Sequence, residues 1–205
     1  MNDEETLAQR KAAEHRWWMM QNMRPAFQWL GGHWTSEDLR GSRFENFDAT
    51  RQQTAYNAAR MFVEMPLGTF ILYGPYGTGK THLLAAICNA LLERHIACRF
   101  ATAPNLFGAI GGYVNHREDY STLIAQAIAT PLLVIDDVDK ARWSEFREEI
   151  YFDILDGRAK RKLPTALSTN RLEELDTFVG GACQSRLSIG QIAIEMSGKD
   201  YRPEL

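Results

Sequence analysis

The chain reads as an α/β domain, a five-stranded and mostly parallel sheet between helices, with a short helical N-terminal extension. Three observations predict this. A glycine-rich stretch, Gly74-Pro75-Tyr76-Gly77-Thr78-Gly79-Lys80-Thr81, joins an apolar run to an amphipathic one. From residue 69 onward, short apolar runs alternate with helical patterns, the signature of a parallel sheet covered on both faces. One of those runs, Leu132-Leu133-Val134-Ile135, ends in the paired carboxylates Asp136-Asp137.

The elements follow in order. Residues 4–23 hold helix formers without Gly or Pro, and Pro25 and Gly31-Gly32 end that stretch. Ala55, Ala58, Ala59, Phe62 and Val63 mark a helix that Pro66 stops. Thr69–Tyr73 is the first strand. Lys80–Arg94 is a helix that buries Leu83, Leu84, Ile87, Leu91 and Leu92. Ala97–Ala101 is a second strand, and Asn105–Tyr113 and Tyr120–Ala129 are helices around the polar break at 116–119. Leu132–Ile135 is the third strand, Ser144–Lys162 a charged helix, Pro164–Ser168 the fourth strand and Gln191–Met196 the fifth. The chain divides into an N-terminal helical partner-binding segment, 1–45, and a nucleotide-binding domain, 46–205.

Composition bounds the function. With 205 residues there is room for one α/β domain and an appendage. A net charge of −3 excludes a bulk positive field, so any nucleic-acid contact needs a local basic patch. Cys88, Cys98 and Cys183 form no CxxC and read as reduced thiols that pack in the core. There is no signal peptide and no 18-residue apolar stretch, so the expectation is a cytoplasmic protein that does not engage a membrane.

The glycine-rich stretch matches G-x-x-x-x-G-K-[S/T] at every position and sits between a strand and a helix. Glycines let the backbone turn tightly and aim several N–H groups at phosphate oxygens, and the helix N-terminus adds partial positive charge. Lys80 reaches the terminal phosphates and the Thr81 hydroxyl ligates Mg²⁺, so the chain is expected to bind ATP with Mg²⁺. The alternative, a ligand-free turn, explains neither the lysine nor the hydroxyl. Asp136 stands where a carboxylate holds the Mg²⁺ shell. Asp137 stands where many ATPases carry the group that polarises the attacking water. A Glu is more usual there, and the shorter Asp predicts slow hydrolysis. Asn170, at the end of the fourth strand, is the candidate for holding that water, or else an N-cap for the chain from Arg171. Arg186, past Gly180-Gly181, is the candidate to reach the γ-phosphate of a neighbouring subunit, or else a surface salt bridge.

Taken together, Phe44-Glu45-Asn46-Phe47, residues 74–91, residues 132–139, residues 164–170 and the tail Met196-Ser197-Gly198-Lys199-Asp200-Tyr201-Arg202 resemble the AAA+ ATPases of the DnaC/DnaI helicase-loader and IstB family. The resemblance spans roughly residues 44–205. The continuation His82-Leu83-Leu84 and the tail narrow it from phosphate-loop proteins in general, and His82 joins Gly74–Thr81 as a nucleotide-site residue. The resemblance implies an ATP-dependent AAA+ module that self-associates through its nucleotide interface. Its implied role is to load a replicative hexameric helicase onto single-stranded DNA, with weak, partner-stimulated ATP hydrolysis. The chain ends seven residues after Gly198, so a full C-terminal helical lid is expected to be missing, with Arg202 a partial stand-in for its arginine.

Trp17, Trp18, Trp29 and Trp34 crowd the N-terminal extension, which either packs on its own domain or docks on a partner; the resemblance favours docking on the helicase through 1–34. Single-stranded DNA has two candidate sites. One is the segment 105–121 with Phe107, Tyr113, His116 and Arg117. The other is Arg158-Ala159-Lys160-Arg161-Lys162, whose cations also suit a helix C-terminus. Besides a helicase loader, the residues are compatible with an IstB-type transposition helper, a nucleotide-gated adaptor with negligible turnover or, remotely, a small-molecule kinase.

Overall fold

The computed structural model describes residues 37–115 and 119–201. The N-terminal helix expected over 4–23, the tryptophans at 17, 18, 29 and 34, and His116, Arg117 and Arg202 lie outside the described residues.

Five strands form one sheet: β1 (Thr69–Tyr73), β2 (Cys98–Thr102), β3 (Leu132–Asp136), β4 (Thr165–Thr169) and β5 (Ile192–Glu195). Their order is β2-β3-β4-β1-β5 and every pairing is parallel. The apolar runs are near-continuous because helices cover both faces. β3 and β4 are buried at every position, whereas the edge strand β5 is buried at none.

Side chains alternate across the sheet, and each face carries its own core. Ile71, Leu133, Ile135 and Leu167 face α4 (Ala103–Asn115), α5 (Ser121–Ala129), α6 (Glu145–Lys160), α7 (Leu175–Val179) and α8 (Gly181–Leu187). Phe70, Leu72, Leu132, Val134 and Ala166 face α2 (Gln53–Glu64) and α3 (Lys80–Glu93). The short helix α1 (Glu37–Gly41) leads into a 3₁₀ turn, Phe44–Asn46, which drives Phe44 into the second core; Leu39 packs beside it. Cys88, Cys98 and Cys183 are free and buried.

Expected element positions agree with the structure to within one or two residues. α6 starts after an N-cap in which Ser144 Oγ accepts from the Arg147 N–H, and it stops at Lys160, with Lys162 in the left-handed region (φ 54°). The tertiary structure removes Phe107 and Arg158 from the two candidate DNA sites, while Lys160, Arg161 and Lys162 stay exposed. Phe107 is buried edge-to-face on Tyr151, 4.9 Å between centroids, so it offers no face to a base, and Tyr113 packs half-buried against the same core. Arg158 is fully buried. Its guanidinium donates to the carbonyls of Ala127 (2.7 Å), Thr130 (2.8 Å) and Pro164, and to Thr165 Oγ1 (2.9 Å). Burial lowers its pKa to about 9. It ties the end of α5 and the entries to β3 and β4 together, and it is not available to nucleic acid.

Candidate functional site

All strands run the same way, so the carboxyl ends of β1, β3 and β4 meet at one edge of the sheet. The chain leaves β1 into the glycine loop, leaves β3 at Asp136 and leaves β4 at Thr169. The residues there line a cleft of about 570 Å³.

The loop needs its glycines. Gly74, Gly77 and Gly79 have φ of 129°, 73° and 94°, and a Cβ on each would strike Met196 O at 2.2 Å, the Asp200 carboxylate at 1.7 Å and the Phe47 ring at 2.8 Å. Pro75 O accepts from the Thr78 hydroxyl (3.0 Å) inside the turn. Lys80 opens α3 with its side chain folded back: Nζ donates to Gly74 O (2.8 Å), Pro75 O (2.7 Å) and Asn170 Oδ1 (2.9 Å). Burial depresses the Lys80 pKa, against the pull of Asp137, Asp136 and Asp139.

Asp136 is buried behind Thr81, whose Oγ1 donates to Asp136 Oδ2 at 2.8 Å. Ser168 on β4 donates to Asp136 Oδ1 and accepts from the Asp137 N–H (2.8 Å), so one hydroxyl sets both acids. Burial, with Asp137 next to it, raises the Asp136 pKa to about 6 despite the two hydroxyl donors. Asp137 sits in the left-handed region (φ 56°, ψ 49°), uncommon for a residue with a side chain. Its carboxylate is held by Lys140, Nζ to Oδ2 2.5 Å, three residues on in a 3₁₀ turn. Lys140 Nζ also lies 5.4 Å over the Tyr76 ring, bridging the glycine loop to the acids.

Asn170 is oriented from two sides. Its backbone N–H and its Nδ2 donate to Asp139 (3.1 and 2.7 Å), which leaves Oδ1 for Lys80. It caps no helix: the following 3₁₀ turn begins after Arg171. His82 Nε2 lies 3.0 Å from Arg43 O and its ring is 5.3 Å from Phe47, tying α3 to the segment before α2.

Of the residues read from the sequence, Tyr76, Gly77, Gly79, Lys80, Thr81, His82, Asp137 and Asn170 line the cleft. Gly74, Pro75, Thr78 and Asp136 build it from behind. Arg186 is not brought there. Its Nε donates to Asp156 Oδ1 at 2.8 Å on the face formed by α6 and α8, the surface salt bridge that was its alternative reading. Sequence reasoning missed Lys140, Asp139 and Ser168, and it gave Arg51 and Tyr201, which also line the cleft, no role there. The run Val138-Asp139-Lys140 after the paired acids was the available signal for the first two.

The residues fit a Mg²⁺-nucleoside triphosphate. The glycines clear a cradle, and Lys80 holds its charge on carbonyl oxygens that a phosphate oxygen would outbid. The buried Asp136 carboxylate beside a hydroxyl is a hard oxygen donor set for Mg²⁺. A nucleotide bound there supplies the phosphoanhydride. The chain would hold it through Lys80; it places the Thr81 and Asp136 oxygens side by side and restrains Asp137 through Lys140.

A family description, the bacterial DnaA ATPase domain, matches residues 40–195. The chain belongs to this family. Within it, this DnaA-type AAA+ domain is similar to replicative helicase loaders. The DnaC loader of Escherichia coli K12 is 32% identical over 154 residues, 72% of this chain and 63% of that protein. The DnaI loader of Bacillus subtilis 168 is 27% identical over 142 residues, 65% of this chain and 45% of that protein. An insertion-sequence protein of Mycobacterium tuberculosis, described as ATP-binding, is 27% identical over 140 residues, 65% of this chain and 55% of that protein. The chain spans less than two thirds of the length of these relatives. A crystal structure of a DnaC helicase loader superposes with a TM-score of 0.71 at 21% identity, over 79% of this chain and 100% of that one, which shows the shared fold.

Proposed function

We propose that this chain is the ATP-binding AAA+ module of a helicase loader: it binds ATP and Mg²⁺ and helps place a replicative hexameric helicase of the DnaB type on single-stranded DNA. The carrying observation is the convergence of Lys80, Thr81, Asp136 and Asn170 in one cleft, in a chain 32% identical to a replicative helicase loader. Thr81 and Asp136 hold Mg²⁺, Asp137 and Asn170 serve slow hydrolysis, and residues 1–34 grip the helicase. Arg186 completes the cleft of a neighbouring copy after leaving Asp156, with which it forms a partly exposed pair that water and salt weaken. The module works in the cytoplasm.

The test is coprecipitation of a purified DnaB-type helicase with the full chain, with ATP and with ADP. Lys80→Ala should lose nucleotide binding and loading together, and deletion of residues 1–34 should lose the helicase while sparing ATP binding. Arg186→Ala should bind nucleotide yet fail to assemble. Loading at the parent rate by Lys80→Ala would remove ATP as the switch. The likeness to an insertion-sequence protein favours one second reading, a transposition helper, which would instead retain duplex DNA and a transposase.

A further inference from the structure

The tail beyond β5 folds back over the phosphate loop. Met196 N–H donates to Tyr73 O at 2.7 Å, prolonging the register of β5 on β1, and the Met196 carbonyl lies against Gly74. Gln52 Nε2 then holds Ser197 O. Gly198, with φ 121°, turns the chain, and a Cβ there would lie 3.4 Å from the Tyr201 hydroxyl. The Asp200 carboxylate sits over Gly77, and Tyr201 N–H donates to Gly77 O at 3.1 Å. The tail is thus pinned at Tyr73, Gln52 and Gly77, and it presents Tyr201 to the cleft.

The side chain it presents meets a second group. The Arg51 guanidinium lies 4.8 Å from the centroid of the Tyr201 ring, and Arg51 Nε is also 3.4 Å from Asp48 Oδ2. Arg51, Asp48, Phe47 and Tyr201 line the same cleft as Lys80, Thr81, Asp137 and Asn170. Phe47 is itself stacked on Tyr56, at 6.2 Å and 16°. These side chains therefore give the cleft aromatic faces and a planar cation, the surfaces on which a nucleobase stacks.

We propose that residues 197–201 form a strap that closes the base end of the nucleotide cleft, with Tyr201, braced by Arg51, as the positioning residue on which the base of a nucleoside triphosphate rests. The proposal builds on the ATP-binding reading above. It adds a physical link: Tyr201 touches the base end with its ring and the phosphate loop with its backbone N–H, so seating the base and setting the loop are one event. A ligand with phosphates and no base uses Lys80, the loop and the Mg²⁺ oxygens of Thr81 and Asp136, and leaves Tyr201 idle.

The experiment is calorimetric titration of the full chain with Mg²⁺-ATP and, separately, with inorganic triphosphate and Mg²⁺. Tyr201→Ala should bind ATP about tenfold more weakly while its triphosphate affinity stays within about twofold, and Tyr201→Phe, which keeps the ring, should restore ATP binding. Equal loss for both ligands would make the strap a brace of the loop alone and overturn the base clamp; so would unchanged ATP binding in Tyr201→Ala. Lys80→Ala separates this from the underlying reading. If the parent chain binds ATP and Lys80→Ala does not, the nucleotide site stands whatever Tyr201 does. If the parent chain binds no ATP, both fall.

Discussion

The side-chain amide of Asn170 joins Lys80 to Asp139: its Oδ1 accepts from Lys80 Nζ at 2.9 Å while its Nδ2 donates to Asp139 Oδ2 at 2.7 Å. The cation is thus steered by a residue ninety positions away, through an amide whose orientation a third side chain sets. Replacing Asn170 by Ala should leave ATP affinity nearly intact, because the carbonyls of Gly74 and Pro75 still hold Lys80. It should slow hydrolysis by about 10²-fold, the usual cost of losing one aligned polar group. Parallel binding and single-turnover measurements check this; equal loss of both would make Asn170 a binding residue only.

Lys140 restrains Asp137. Burial opposes the Lys140 charge, but the hydrogen bond and charge of Asp137, with Asp136 behind it, raise its pKa overall. It therefore stays protonated at neutral pH and keeps the carboxylate engaged. Lys140→Met should free Asp137 and raise basal phosphate release severalfold, with Lys140→Arg close to the parent. A fall in the Met variant would instead place Lys140 on the phosphates.

Asp136 predicts a pH dependence. Its folded pKa is about 6, above the ordinary value of 3.8, so between those values the unfolded chain binds fewer protons than the folded one. Its contribution to stability is then greatest below about pH 4 and is lost as pH rises through 6, by at most about 3 kcal/mol. Urea unfolding at several pH values should show Asp136→Asn gaining on the parent chain from pH 4 to 7. A constant gap between the two would contradict the buried carboxylate.

Tyr151 Oη is buried without a hydrogen-bond partner among the described residues, while its ring packs edge-to-face on Phe107. Tyr151→Phe keeps the ring contact and removes the stranded hydroxyl. It should stabilise the fold by about 1 kcal/mol, read as a higher denaturant midpoint at unchanged slope. A lower midpoint would mean that the hydroxyl is satisfied.

Gly74–Thr81 and Leu132–Asp137 were legible because their chemistry is local: glycines, a lysine and a hydroxyl at set spacing leave few other uses. The strands were legible to within one or two residues, since apolar runs bounded by Gly, Pro or charge have few alternatives. Arg158 and Phe107 were not. Both sat in stretches that read as cationic or aromatic surface, and both turned inward, Arg158 to a cage of carbonyl oxygens and Phe107 to Tyr151. Residue type and periodicity say which side chains share a face, not what that face meets.

By itself, then, the sequence determined the α/β sheet, the phosphate loop and the acids that follow β3, because each is written in consecutive residues. Only the tertiary structure decided that Asn170 orients Lys80, that Lys140 holds Asp137, that Arg186 pairs with Asp156 and that Tyr201 returns to Gly77. Those pairings, apart from the short turn at Lys140, join residues tens of positions or more apart. Those at the cleft exist because a parallel sheet brings the carboxyl ends of β1, β3 and β4 to one edge, the Arg186–Asp156 pair because α6 and α8 pack on one face, and no local pattern encodes which side chains meet.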